Sequence, residues 1–163
     1  MQTAKYLARS FILATSLGLI LLPMAASAAS EMVVINPGSI KWGDAPPSLP
    51  KGAKLAVLYG DPSKAGPFVM RLMAPAGYKI PPHWHSQAEA PTVISGTFYF
   101  GMGDKMDAAA AHLLKTGGFH YLSAKEHHFA FSKAASVVQL NGEGPFDITY
   151  INAADDPQKT TKR

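Results

Sequence analysis

The chain has 163 residues, 47% of them hydrophobic and 16% charged, with 15 Lys+Arg, 11 Asp+Glu and no cysteine. A formal charge of +4 without a Lys/Arg cluster gives no support to nucleic-acid binding. The lack of cysteine excludes a disulfide framework, thiolate metal sites and cysteine nucleophiles, so any metal must be held by His, Asp or Glu.

Residues 1–28 read as a secretory signal peptide. Lys5 and Arg9 make a basic start, Phe11 to Met24 is an apolar run, and Ala26-Ser27-Ala28 supplies the small residues that a signal peptidase reads. A membrane-spanning helix needs about 20 apolar residues, and this run is shorter and ends in Pro23 and small residues. Cleavage after Ala28 would leave 163 − 28 = 135 residues, one domain's worth, with a formal charge of 4 − 2 = +2. The expectation is a periplasmic or secreted protein with no membrane attachment after cleavage. Residues 29–52 read as an irregular, Pro- and Gly-rich lead-in, with Ile40 and Trp42 as its anchors.

From residue 53 to 153, short strand-like runs alternate with turn signals. "KLAVLYG" and "PFVMRLMA" come first, and "TVISGTFYFGMG" is a strand pair or a bent strand broken at Gly96. "DKMDAAAAHLLKTGG" reads as a loop with at most one helical turn. "FHYLSA", "HFAFSK", "SVVQLNG" and "FDITYINA" complete the series, and residues 154–163 read as a flexible tail. Helical periodicity is weak throughout, so the class is all-β, a sandwich or barrel in a single domain.

The chemistry concentrates in "GYKIPPHWHSQAEAPTVISG", Gly77 to Gly96. Residues two apart on a strand share a face, so His83 and His85 would point to one side with Trp84 on the other. Pro81 and Pro82 keep the approach extended. A turn at Ser86-Gln87-Ala88 would return Glu89 beside the imidazoles. Two neutral imidazoles and a carboxylate suit a divalent first-row metal. A lone His-x-His arises readily by accident. Here a glycine, five residues, His83, one residue, His85, three residues, Glu89, six residues and a second glycine follow in order. From the chain's own composition the chance of that array is on the order of 10⁻⁵ to 10⁻⁴.

This array resembles the first motif of the cupin superfamily at every defining position. The second cupin motif has its counterpart in "GGFHYLSAKEHHFAFS", counted from Gly117. Gly117 and His128 match, while Ser123 stands at the proline position, Lys125 at the glycine position and Ser132 at the asparagine position. Lys125 does not take a positive φ as cheaply as glycine. Adjacent strand residues face opposite ways, so His127 and His128 cannot both point inward; the family's spacing selects His128. Phe129 and Phe131 would then share the outer face, under the lead-in or a partner, with Ala130 inside.

The resemblance spans Leu55 to Asn152 and implies a double-stranded β-helix, a jelly-roll cupin barrel, of small exported type. It implies one divalent transition metal, Mn, Fe, Ni, Cu or Zn, held by His83, His85, Glu89 and His128. Arg71, in an apolar strand, is a candidate for an anionic substrate. Tyr99 and Gln139 are weaker candidates for the substrate site. Pro91 suits an edge or bulge. His120 reads as structural, His112 as solvated, and the scattered methionines as core filler rather than a copper site. No spare Asp or Glu lies near the first motif; His120, His127, Glu126 and Tyr99 are the nearest ionisable groups. Two functions follow from the resemblance: a metal-dependent enzyme acting on a small molecule, dioxygenase-type oxidoreductase first, or a non-catalytic metal- or ligand-binding sensor. A homodimer is compatible with the exposed sheet edges.

Overall fold

Among residues 32–160, which the computed structural model describes, the β-branched and aromatic runs form ten strands divided between two sheets. The signal peptide read from residues 1–28 lies outside the described residues. One sheet has the order β1(Gly43–Asp44), β2(Lys54–Tyr59), β3(Gly66–Ala74), β9(Ser136–Gly144), β5(Glu89–Ser95). The other has the order β10(Thr149–Tyr150), β4(Lys79–Trp84), β8(His128–Phe131), β6(Thr97–Met102), β7(His112–Lys115). Every paired strand is antiparallel. The inner faces meet in one buried cluster, with Leu72, Val93 and Val138 from the first sheet and Ile80, Phe98 and Ala130 from the second. This is the jelly-roll barrel expected from the sequence.

Gly77 and Gly96, which bracket the histidine motif, have φ of 77° and 75°. At Gly96 space matters too: a Cβ would lie 2.5 Å from the Ala135 carbonyl oxygen. The tight break between β5 and β6 therefore needs glycine on both counts.

Five segments differ from expectation. The run after Asp104 is not all loop, because His112–Lys115 forms an edge strand on β6. "FHYLSA" is not a strand. Leu122 exchanges two backbone hydrogen bonds with Glu89, but at the next such position His120 N–H donates to the Pro91 carbonyl and Pro91 has no N–H to return. The pairing is reduced to isolated bridges at Leu122 and Phe119. "FDITYINA" contributes only Thr149–Tyr150. The lead-in is more ordered than expected: Gly43 and Asp44 pair with Leu55 and Lys54, and the hydroxyls of Tyr78 and Tyr150 donate to the carbonyls of Pro50 (2.9 Å) and Ser48 (2.8 Å). Ile40 and Trp42 are half-buried. Pro157–Thr160, in the expected tail, forms a short helix, α1.

Phe129 and Phe131 are buried on the outer face of β8 within the chain itself. Phe131 stacks on Tyr99 with centroids 4.7 Å apart, and Lys133 Nζ lies 4.8 Å from the centre of the Tyr99 ring. Phe129 pairs across to Gly101, where a Cβ would fall 2.1 Å from its Cζ. The missing side chain of Gly101 is the space that Phe129 fills.

Candidate metal centre

His83, His85, Glu89 and His128 come together on the inner face, all buried. The device that aims His83 is a bulge. Ile80 pairs with Ala130 and His83 with His128, so three steps on β4 oppose two on β8. The extra residue falls at Pro81-Pro82, where the lack of N–H donors costs least. It shifts the alternation by one, so that Ile80 and His83 both point inward. His85 follows two residues on, just past the end of β4. Glu89 opens β5, whose buried residues Glu89, Pro91 and Val93 alternate along the inner face.

His128 is placed by β8. It pairs with His83 on one side and Met102 on the other. His127 points away, half-exposed, with Nδ1 2.6 Å from Asp104 Oδ1. The turn before β8 has Lys125 at φ 66°, the one described non-glycine residue with positive φ. Lys125 N–H donates to the His85 carbonyl at 2.8 Å, tying this turn to the first motif. Ser132, at the other end, donates its hydroxyl to the Pro75 carbonyl at 2.7 Å and its N–H to Tyr78. The glycine and asparagine positions of the second motif are thus filled by other residues that hold the same strand in place.

The donor geometry fits a metal. Each histidine Nδ1 faces a backbone carbonyl: His83 that of Pro81 at 2.7 Å, His128 that of Glu126 at 2.9 Å, and His85 that of Asp147. A carbonyl only accepts, so Nδ1 carries the proton and Nε2 presents its lone pair. One ligand nitrogen from each ring lies within 4.8 Å of the other two. Glu89 faces two of them, with Oε2 3.6 Å from His85 Nε2 and Oε1 3.2 Å from His128 Nε2. The second contact is not aligned as a hydrogen bond, and Oε1 is buried without a hydrogen-bond partner. A buried carboxylate oxygen facing bare imidazole nitrogens calls for a cation between them.

The protonation states agree. Burial pushes His83 well below the usual imidazole range, helped by the rings of His128 and His85, and burial also lowers His85. Burial alone would raise Glu89 and lower His128, but their mutual contact outweighs it, holding the Glu89 carboxyl low and the His128 imidazole high.

A segment far away in sequence clamps His85. Phe146 stacks on its ring at 4.3 Å and 23°, the Asp147 carbonyl accepts a hydrogen bond from its Nδ1–H, and Asp147 Oδ1 accepts from Ser86 N–H and hydroxyl, both at 2.7 Å. Sequence reasoning missed Phe146 and Asp147, because nothing local marks a loop 61 residues from Ser86. His120, read as structural, packs on Phe100 at 4.0 Å and takes no part in the ligand cluster.

The four residues line a cavity of about 390 Å³. Arg71, Tyr99 and Gln139, expected near substrate, do not. Met70 and Leu72 of β3 point inward, so Arg71 between them points out, where its Nε donates to Gln139 Oε1 at 3.0 Å. Gln139 lies opposite Arg71 on β9, and Tyr99 covers Phe131 on the outer face. Of the methionines, Met70 reaches the cavity, while Met73 and Met102 are exposed.

Comparisons with known proteins agree with this architecture. A solved structure of a provisionally assigned acetylacetone dioxygenase from Methylibium petroleiphilum PM1 is similar at TM-score 0.61 and 19% identity, over 80% of this chain and 88% of that one. The polyketide cyclase RemF from Streptomyces resistomycificus is similar at TM-score 0.62 and 13% identity, over 82% and 94%. An RmlC-like cupin from Shewanella frigidimarina NCIMB 400 is similar at TM-score 0.54 and 14% identity, over 70% and 91%. At these identities the likeness is one of fold. No curated protein matches. A family profile described as "Domain of unknown function (DUF4437)" matches residues 23–157. The chain has the cupin fold, and it belongs to the DUF4437 family.

Proposed function

We propose that this cupin binds one divalent transition metal through His83, His85, Glu89 and His128 and works as a metal-dependent enzyme on a small molecule. Dioxygenase-type oxidoreductase chemistry is the first reaction to try. The donor set supports this reading: three imidazoles with carbonyl-held Nδ1 protons and an unpartnered buried carboxylate oxygen, all lining one cavity. Nitrogen and oxygen donors of this kind suit Mn, Fe, Ni, Cu or Zn without selecting among them. A divalent ion there would polarise a substrate oxygen and leave positions open for it. The chain's own part is to fix the rings through the carbonyls of Pro81, Glu126 and Asp147, and to exclude water with the apolar wall. The likeness to the provisionally assigned acetylacetone dioxygenase puts acetylacetone first among trial substrates.

A second reading, a non-catalytic metal- or ligand-binding sensor, has its own support. Apart from the four ligands, Asp147 is the only titratable side chain among the described residues lining the cavity, and Oδ1 of its carboxylate is taken by Ser86. General acid–base chemistry would want a group aimed at the metal, and the described lining offers for it one carboxylate, tied to Ser86 through Oδ1. Metal content by mass spectrometry, on protein exported to the periplasm and purified without an affinity tag, tests what both readings share. Near-stoichiometric metal, lost in His128→Ala, is expected. Oxygen uptake with acetylacetone, phenols and keto acids then separates them: turnover with any of the metals supports the enzyme, and none with every metal supports the sensor.

Export and a homodimer belong to the same proposal. Mature protein starting at Ala29 would support the signal peptide, and an intact Met1 would overturn it. The exposed sheet edges are compatible with a dimer; a monomer mass by light scattering would overturn that.

A further inference from the structure

We infer that the cavity takes a small molecule with an uncharged, apolar body, whose polar atoms are confined to the end that meets His83, His85, Glu89 and His128. The inference rests on the proposed site and names the class of ligand it takes.

The argument is one of charge and hydrogen bonding. Leu72, Phe98, Phe100, Val138 and Leu140 supply apolar wall from the two sheets. Beyond the four candidate ligands, the polar side chains of the described lining are those of Ser48, Asp147 and Gln158. None comes from a strand: Ser48 belongs to the lead-in, Asp147 to the β9–β10 connection and Gln158 to α1. No described lysine or arginine lines the cavity. Arg71, the cation nearest in sequence logic, is turned outward onto Gln139.

The lead-in completes the apolar lining. Pro46 and Leu49 face the cavity, while the carbonyls of Ser48 and Pro50 are taken by Tyr150 and Tyr78. Those hydroxyls stay protonated, because burial holds both tyrosines well above the usual phenol range. The two lead-in carbonyls are thus occupied by hydroxyl donors.

A ligand carrying a carboxylate, sulfonate or phosphate against this wall would hold that charge with no lysine or arginine of the described lining to meet it. A polyol would leave hydroxyls without partners along the wall. The volume of about 390 Å³ corresponds to on the order of a dozen water volumes, so the ligand has roughly that many non-hydrogen atoms.

The test uses the mature chain and two probes with one chelating head, 4-methylcatechol and 3,4-dihydroxybenzoate, which differ in a methyl against a carboxylate. Binding is measured by calorimetry on protein loaded with zinc, which is redox-inert, and again on metal-stripped protein. The expected result is binding of 4-methylcatechol at least about tenfold tighter than dihydroxybenzoate, with the preference narrowed or reversed in Leu140→Arg. Should that variant not fold, the wild-type comparison decides alone. Equal affinities, tighter binding of dihydroxybenzoate, or no binding of either probe would overturn the inference. Failure to take up metal, with the preference for 4-methylcatechol intact on stripped protein, would overturn the metal site and leave the ligand class standing.

Discussion

The two halves of the site reach one geometry by different means. Gly77 to Gly96 has glycine wherever its turns need positive φ, and prolines where the strand must bulge. Gly117 to Ser132 keeps one glycine and one histidine of its motif and fills the rest with residues that suit the backbone less well. Lys125 sits at φ 66°, and Ser132 substitutes a hydroxyl bond to Pro75. Yet β8 is placed well enough for His128 to meet Glu89 at 3.2 Å. Backbone conformation and strand register, more than residue identity, are what the second half preserves.

The largest break in this comparison is at the ligands. His128→Ala removes the donor that the second half contributes, and metal uptake should fall from near one per chain to a small fraction of that, read by mass spectrometry. Glu89→Gln should weaken uptake while leaving the fold intact by circular dichroism, because the amide keeps the shape and removes the charge.

The next effect is on stability. Phe129 is fully buried over Gly101, so Phe129→Ala should cost about 3–5 kcal/mol in denaturant unfolding. Gly101→Ala, whose Cβ would fall 2.1 Å from the ring, should also destabilise. The double variant should be more stable than the two losses summed, because the new methyl enters the space the ring has left. Strict additivity would mean that Phe129 is held by something other than this approach.

Lys125→Gly sharpens the comparison directly, by restoring to the second half the residue type the first half uses. A non-glycine residue in the left-handed region costs about 1–2 kcal/mol, and glycine pays back about 0.5–1 in chain entropy. The N–H bond to His85 survives the change. Net stabilisation of about 0.5–1 kcal/mol is expected, with metal affinity unchanged or slightly raised. A loss of stability would show that the Lys125 side chain does more than occupy the turn.

Much of this was legible in the sequence, and for a physical reason. His83, His85, Glu89 and the bracketing glycines depend on local spacing, and local spacing survives in one dimension. The barrel followed from short strands and turn residues. What the sequence hid was parity and distance. β3 is apolar on both faces, so nothing in "PFVMRLMA" says that Met70 and Leu72 point in and Arg71 out. Tyr99 lies between Phe98 and Phe100 with the same ambiguity. The bulge at Pro81-Pro82 sets the parity of His83 and needs β8 as its ruler. The clamp of Phe146 and Asp147 on His85 includes a contact across 62 residues, and no periodicity reports it.

The smallest expected effect tests parity itself. His127 and His128 are neighbours of one residue type, and only strand alternation separates them. His128 is buried at 2% exposure, while the His127 side chain is 42% exposed and faces Asp104. An exposed pair of this kind contributes about 0–1 kcal/mol. His127→Ala should therefore shift the unfolding midpoint little and leave metal stoichiometry and affinity where they are in the wild type. Asp104→Ala should match it, since the two would remove the same contact. A His127→Ala protein that lost its metal would mean that β8 sits one residue out of the register given by its pairing with His83 and Met102. The inward set would then be His127 and Phe129, and the buried phenylalanine would have to face the ligand cavity instead of Gly101.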